Sequence, residues 1–153
     1  MVMVSSHLQR AFETPAGPEE VMAVLREIDE HARHMPSVDR VEPGPEPDSY
    51  HWILEPMGAG PLSLQCTYCS LYVVDEDART VTWTPVDGRY NSFSRGSWRV
   101  ERRGDTTHVR LDSEFGIEAP VPRLMKGAAS KVLDHEYNRI LDGYTGNLAK
   151  ALA

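Results

Sequence analysis

The stretch VPRLMKGAASKVLDHEYNRILDGYTGNLAKAL, at positions 121–152, decides the fold of this chain. Pro120 and Pro122 bracket its start, where the missing N–H of a proline costs little. At about 100° per residue, one helical face carries an apolar stripe. The stripe comprises Val121, Leu124, Met125, Ala128, Ala129, Val132 and Ile140. We therefore predict a helix roughly 45 Å long, at about 1.5 Å per residue, whose apolar face needs a sheet to cover it.

Glu136 lies in the middle of this stripe, where a carboxylate must be paired, protonated or hydrated. Two interpretations stay open: a salt bridge on a slightly rotated helix, or a polar group that faces an internal cavity. Farther along, Gly143 and Gly146 each weaken the helix by about 1 kcal/mol relative to alanine. This predicts a bend or a change of packing partner near Gly143.

The chain before the helix has mostly the pattern of β-strands. The predicted strands occupy positions 2–12, 38–41, 50–57, 62–74, 80–85, 91–103 and 106–117. A helical segment begins at Pro18, has a break near Asp29 and ends before Pro36. The links between strands are short, so we expect an antiparallel meander. Without a repeat or a linker, we expect one domain over positions 1–153.

The turn at Gly104-Asp105 predicts the register of the last hairpin. The pairs on one face are apolar or small: Val100–Val109, Trp98–Leu111, Gly96–Ser113 and Ser94–Phe115. The pairs on the other face are polar: Arg95–Glu114, Ser97–Asp112 and Arg99–Arg110. A slip by one residue would bury these charges, so the hydrophobic pattern supports a single register.

The inner face of this hairpin is unevenly filled. Trp98 and Phe115 are large, whereas Ser94, Gly96 and Ser113 are small or polar and lie together. A close-packed core has little use for three such neighbours. Either the terminal helix approaches the sheet closely here, or the space is a pocket, and an inward Glu136 would favour the pocket.

The composition excludes several classes of function. With a net charge of −7 and a pI of about 5.3, the chain has no basic stripe, so we expect no nucleic-acid partner. No stretch approaches the roughly 18 apolar residues of a membrane span, so we expect no integral membrane segment. The N-terminus lacks the pattern of a signal peptide, which favours a cytoplasmic protein with reduced thiols. Homo-oligomerisation stays open, because the sequence does not locate a patch for it.

Two spacings typical of metal or redox sites are interpreted as ordinary residues. Cys66 and Cys69 lie three apart on a predicted strand, so their thiols point to opposite faces and cannot share a metal or an easy disulfide. His31 and His34 could share one helical turn, but their charged neighbours favour a solvated face. We therefore expect no metal and no cofactor.

The order of elements resembles that of the START/Bet v 1-like superfamily, also called the polyketide cyclase/dehydrase and lipid transport superfamily. The local similarity lies in VTWTPVDG at 81–88, GSWRV at 96–100 and GDTTHV at 104–109. The resemblance implies an α+β helix-grip fold, in which a curved antiparallel sheet of about seven strands wraps around the C-terminal helix. It also implies a cavity for a hydrophobic or aromatic small molecule. The superfamily has no common catalytic set, so the resemblance assigns no catalytic residue.

These observations predict a cavity between the sheet and the terminal helix. Its expected lining is Trp52, Tyr68, Trp83, Ser94, Gly96, Trp98, Leu111, Ser113, Phe115, Met125, Val132 and Glu136. The register of the strands at 62–74 and 80–85 leaves open whether Leu71 or Tyr72 faces Trp83.

Three functional hypotheses follow from the predicted cavity and surface. The first is binding or carriage of a small hydrophobic or aromatic molecule. The alternative is a cyclase, dehydratase or hydrolase that acts on a polyketide-like substrate, with Glu136 as its acid or base. The pKa of Glu136 would rise if this residue were buried without a partner. A third is a protein-interaction module that uses the outer sheet face or the proline-rich loop at 43–47.

Overall fold

The computed structural model describes residues 1–58, 60 and 63–153. These residues form seven strands and three α-helices in the order β1 (Val2–Thr14), α1 (Pro18–Leu25), α2 (Ile28–His31), β2 (Val38–Pro43), β3 (Ser49–Leu54), β4 (Thr67–Asp75), β5 (Thr80–Pro85), β6 (Ser92–Arg103), β7 (Thr106–Ala119) and α3 (Lys126–Ala151). Short 3₁₀ turns follow α2 at Ala32–His34 and precede α3 at Arg123–Met125. No helix in this described part is long and apolar enough to cross a membrane.

All seven strands belong to one antiparallel sheet with the order β1-β7-β6-β5-β4-β3-β2. The strands from β2 to β7 therefore form a meander. β1 is the edge strand at the end opposite to β2, and it pairs with β7 along its whole length. α3 packs against this sheet, with most of its contacts to β1. The predicted α+β helix-grip fold is confirmed, with a curved sheet around the long C-terminal helix and a short helical segment after the first strand.

The predicted register of the last hairpin is confirmed. Val100 pairs with Val109, and Gly96 pairs with Ser113. The face of the hairpin that carries the charged side chains points outward, and there Arg95 Nη1 is 3.6 Å from Glu114 Oε1. The turn determines this register because a shift by one residue would exchange the two faces of both strands.

The β4–β5 pairing decides the facing that the sequence left open. Tyr72 pairs with Trp83 and is buried, whereas Leu71 is half-buried and pairs with Thr84. β4 begins at Thr67, later than the predicted strand start at position 62, which lies outside the described residues.

The buried face of α3 differs from the predicted stripe. Its buried residues are Ala129, Leu133, Tyr137, Ile140, Leu141, Tyr144, Thr145 and Leu148. Leu124 is 99% exposed and Met125 is 37% exposed. The α-helix begins only at Lys126, after a 3₁₀ turn that rotates the chain by 120° per residue instead of 100°. Counting a regular helix from Val121 therefore placed Leu124 and Met125 on the wrong face, whereas Val121, Ala129 and Ile140 are buried as predicted.

Gly143 neither ends nor interrupts α3. A Cβ atom at this position would lie 2.5 Å from Pro36 Cγ. The glycine therefore allows the segment after the Ala32–His34 turn to approach the helix closely. α3 thus continues through this position as one helix, with Pro36 packed against it.

Candidate functional site

A cavity lies between the inner face of the sheet, α3 and the segment that contains α2. Its lining consists of His31, Met35, Trp52, Leu54, Tyr68, Tyr72, Trp83, Ser94, Trp98, Leu111, Ser113, Phe115, Tyr137, Ile140, Leu141 and Tyr144. About 40 Å³ is open to the centres of water-sized molecules. This is room for roughly three waters, so a larger ligand requires side chains to move.

Aromatic rings form most of the cavity wall. Trp52 stacks on Tyr68 with ring centroids 5.9 Å apart, and Tyr68 meets the ring of Phe115 edge-on at 5.6 Å. On another part of the wall, Tyr72 lies 5.9 Å from Trp83. Offset and edge-to-face rings at these separations attract one another beyond simple area burial, so the wall is a cohesive apolar surface.

Two hydrogen bonds place polar groups inside this aromatic wall. The hydroxyls of Ser113 and Tyr137 lie 2.5 Å apart, and either can donate to the other. The indole N–H of Trp83 donates to Ser94 Oγ at 3.0 Å. Because the Ser113–Tyr137 pair holds two hydroxyl protons and uses one between them, a second proton is available to an acceptor.

His31 is a lining residue that the sequence analysis missed. It is only 2% exposed, and its ring meets Tyr144 edge-on with centroids 6.0 Å apart. α1 ends at Leu25 and α2 begins at Ile28. The break between the two helices therefore lies at positions 26–27, slightly before the position near Asp29 where the sequence predicted it. His31 then shares the buried face with Ile28, three residues before it. That spacing was the available signal, and the charged neighbours concealed it.

The imidazole of His31 is held in its neutral form. Burial lowers its pKa to about 4, and an interaction with the Leu25 carbonyl opposes this shift. The described residues offer no hydrogen-bond partner to its Nδ1 atom. Removing a charged group from water disfavours its charged form, so at neutral pH this ring presents an uncharged nitrogen to its surroundings.

The remaining ionisable groups of the lining are neutral as well. They are the hydroxyls of Tyr68, Tyr72, Tyr137 and Tyr144, and burial raises the pKa of each above its ordinary value. Among the residues that the structure describes, the lining contains no aspartate, glutamate, lysine or arginine. Consequently the cavity has hydrogen-bonding groups but no formal charge at neutral pH.

The structure brings eight of the twelve predicted lining residues to this cavity: Trp52, Tyr68, Trp83, Ser94, Trp98, Leu111, Ser113 and Phe115. Gly96 lies beside it in close contact with its neighbours, since a Cβ atom there would be 2.2 Å from the Asp112 carbonyl oxygen and 2.7 Å from Trp83 Cζ2. The nearest atoms at Gly96 thus belong to β7 and to Trp83, and not to the terminal helix that the close-approach interpretation required.

The three predicted lining residues from the terminal helix region lie elsewhere. Met125 belongs to the exposed 3₁₀ turn, and Val132 lines a separate apolar pocket of about 20 Å³. Glu136 Oε2 accepts a hydrogen bond from Arg139 Nη2 at 2.9 Å and is not part of the cavity lining. The salt-bridge interpretation applies to Glu136, because the rotated helix turns Tyr137 inward instead.

The two cysteines are buried and free. Burial raises the pKa of the Cys66 thiol to about 12, so this group is protonated and unreactive as a nucleophile. Among the residues that the structure describes, no three histidine, cysteine, aspartate or glutamate side chains converge as metal ligands.

Solved structures with the same fold include proteins of several kinds. The Zhui aromatase/cyclase from Streptomyces sp. R1128 superimposes with a TM-score of 0.73 at 15% identity, over 97% of this chain and 94% of that chain. A START superfamily protein from Mycobacterium smegmatis gives 0.65 at 12% identity, over 95% and 96%. Major latex-like protein 151 from Panax ginseng gives 0.61 at 12% identity, over 97% of each chain. At these identities the similarity establishes the fold alone.

Sequence comparison identifies the family. No curated protein matches the chain significantly. The family model described as "Polyketide cyclase / dehydrase and lipid transport" matches residues 5–150, which is nearly the whole chain. The resemblance inferred from the order of elements is thereby confirmed. The chain belongs to the polyketide cyclase/dehydrase and lipid transport family, within the START/Bet v 1-like superfamily.

Proposed function

We propose that this protein binds or carries a small hydrophobic or aromatic molecule in the cavity between its sheet and α3. The proposal rests on one observation: a buried, largely aromatic cavity whose few polar groups carry no charge at neutral pH. Binding sites for small molecules are mostly apolar with a few polar groups that fix orientation. Membership of a family named for lipid transport and polyketide cyclisation supports the same function.

A ligand needs more space than the closed cavity offers. Two lining residues border larger outer grooves: Tyr72 lines one of about 320 Å³, and Met35 lines another of about 270 Å³. Each of these residues therefore borders both the cavity and an outer groove. Their movement would connect the cavity to a groove, which supports binding by local opening.

Native mass spectrometry of the purified protein tests this proposal, followed by extraction of the bound molecule after denaturation. Leu141→Trp fills the cavity from α3, at a cost of about 1–3 kcal/mol in stability, and Lys131→Trp adds the same ring on the exposed side of α3. We expect a bound aromatic or lipid-like molecule in the wild type and in Lys131→Trp, and its loss in Leu141→Trp. A protein that carries nothing and takes up no aromatic compound would contradict the proposal.

A second function, cyclase- or dehydratase-like turnover of a polyketide-like substrate, is favoured by the buried imidazole in the same cavity. A neutral histidine can take up or release a proton during such chemistry. Glu136 is a poorer acid or base, since it is paired with Arg139 outside the cavity. If the protein is an enzyme of this kind, His31→Phe should abolish turnover of a poly-β-ketone thioester, and Glu136→Gln should preserve it. The opposite pattern would restore Glu136 as the acid or base.

We also propose a cytoplasmic location. It is supported by the two free thiols of Cys66 and Cys69, because cysteines remain reduced in that compartment. Fractionation of cells that produce the full-length protein, with an antibody against it, tests the location. Recovery outside the cytoplasm would overturn it.

A further inference from the structure

We propose that the ligand is an uncharged phenol, and that its hydroxyl group donates a hydrogen bond to the imidazole of His31. The inference rests on the proposed binding function and narrows it to a chemical class. It assigns to His31 the role of a specificity-determining residue.

The first argument is the absence of charge around the cavity. A buried carboxylate ligand would need a cation or several donors to offset the loss of its hydration. The described part of the chain contributes no lysine or arginine to the lining, and burial keeps the His31 ring neutral. Fatty acids and aromatic acids would therefore enter only as their protonated forms, whereas a neutral phenol pays no such penalty at neutral pH.

The second argument is the unused hydrogen-bonding capacity of His31. A neutral imidazole has one N–H donor and one bare nitrogen that accepts. The Leu25 carbonyl lies near the ring, and Nδ1 has no hydrogen-bond partner among the described residues. The bare nitrogen is thus free to accept, and a buried polar group that lacks a partner gains by meeting one.

The indole N–H of Trp52 adds an unpartnered donor to the same cavity. This N–H has no hydrogen-bond partner among the described residues, and the Tyr72 hydroxyl lies nearby. An oxygen atom of the ligand would satisfy this donor. Because a phenol oxygen accepts as well as donates, a phenol uses both kinds of group that the lining leaves unpaired.

The aromatic wall favours a ring as the body of the ligand. Tyr144 contacts both His31, at 6.0 Å between ring centroids, and Trp98, at 5.5 Å. A phenol that is hydrogen-bonded to His31 would place its ring beside the rings of Tyr144 and Trp98. Stacked and edge-to-face contacts of this kind add to the burial of the ring.

Three probes that differ in one group test the inference: p-cresol, 4-methylanisole and p-toluate. Titration calorimetry at neutral pH gives their affinities for the full-length protein. We expect p-cresol to bind about tenfold more tightly than 4-methylanisole, which lacks the donor, and more tightly still than the anionic p-toluate. His31→Phe should reduce the affinity for p-cresol about tenfold and leave that for 4-methylanisole unchanged.

His135→Phe is the matched control, because His135 lies on the exposed side of α3 and outside the cavity. It should bind all three probes as the wild type does. Equal binding of p-cresol and p-toluate, or of p-cresol and 4-methylanisole, would overturn the phenol inference and leave the binding function intact. Failure of all three probes to bind would overturn the phenol inference, whereas a lipid-like molecule found by native mass spectrometry would still support the binding function. The comparison of probes on the wild type needs no variant, so it remains decisive if His31→Phe does not fold.

Discussion

Burial of His31 makes the stability of the fold depend on pH. Its pKa is lowered from 6.5 in the unfolded chain to about 4 in the fold. Between these values the unfolded chain binds more protons than the folded chain, so stability rises with pH across this window. Lowering the pH from about 7 to about 4 should therefore cost about 3 kcal/mol of unfolding free energy through His31 alone.

Denaturant unfolding of the wild type and of His31→Phe across this pH range measures the effect. The free energy of unfolding of the variant should depend less on pH, and the difference between the two proteins should be largest at the acid end. His7→Phe is a useful control of opposite sign. The hydrogen bond to Asp112 raises the pKa of His7, so this residue adds stability as the pH falls, and its removal should steepen the dependence. An unchanged slope in His31→Phe would show that the ring is hydrated in solution.

Gly96 gives a second prediction at the scale of one residue. Gly96→Ala would place a methyl group 2.2 Å from the Asp112 carbonyl oxygen, which belongs to the backbone of β7 and cannot rotate away. We expect a loss of about 1–3 kcal/mol, the usual cost of overpacking, measured by thermal or denaturant unfolding. Ser97→Ala, at the next position on the outer face of β6, should change stability by less than about 0.5 kcal/mol. Similar stability of the two variants would mean that β6 and β7 separate more easily than their pairing suggests.

At the scale of elements, two glycines of α3 should respond in opposite ways to the same substitution. A Cβ atom at Gly146 meets nothing within 4 Å, whereas at Gly143 it would lie 2.5 Å from Pro36 Cγ. Gly146→Ala should therefore stabilise the protein by about 1 kcal/mol through helix propensity. Gly143→Ala should destabilise it, because the same gain is offset by displacement of the Pro36 segment. Thermal unfolding of the two variants decides this, and equal stabilisation by both would show that this segment yields freely.

The elements also show what the sequence could predict and what it could not. The hairpin of β6 and β7 followed from its turn, since Gly104-Asp105 and the two-residue alternation allow one register. The facing of α3 did not follow, because the Arg123–Met125 turn shifts the helical phase before the first α-helical residue. Most of the predicted strand residues therefore lie around the cavity of the structure, whereas those of the terminal helix region lie elsewhere.

His31 was missed for a related reason. Its facing depends on where α1 ends and α2 begins, and a break of two residues between short helices resets the phase. Helical boundaries are the least certain part of a pattern, so the spacing of Ile28 and His31 identifies the buried face only once the start of α2 is known.

At the scale of the whole molecule, the three tryptophans report on a single site. Trp52, Trp83 and Trp98 are all the tryptophans of the chain, and all three are buried in the cavity wall. We expect acrylamide to quench their fluorescence weakly in the folded protein and several-fold more strongly after unfolding in guanidinium. Binding of p-cresol should change the folded emission without increasing quenching. Strong quenching of the folded protein would indicate that the cavity is open to solvent most of the time.

The path into the cavity gives the last prediction. Tyr72 lines both the cavity and the outer groove beside Arg26, Ile28 and Tyr50, so its ring separates the two spaces. Removing this ring should speed entry and exit together, because a barrier affects both directions. We therefore expect Tyr72→Ala to raise the association and dissociation rates of p-cresol at least tenfold, with a smaller change in affinity, in stopped-flow measurements of tryptophan emission.

Tyr68→Ala is the matched control for this passage. Tyr68 lines the cavity but not the groove, so its loss should change affinity more than the association rate. Met35 borders the cavity and the other groove, and Met35→Ala tests entry on that side. If Met35→Ala accelerates binding and Tyr72→Ala does not, ligands enter past the Ala32–His34 turn and the role of Tyr72 is refuted. If Tyr72→Ala alone accelerates binding, the ring of Tyr72 is the barrier, and exchange is controlled at the groove between α2 and β4.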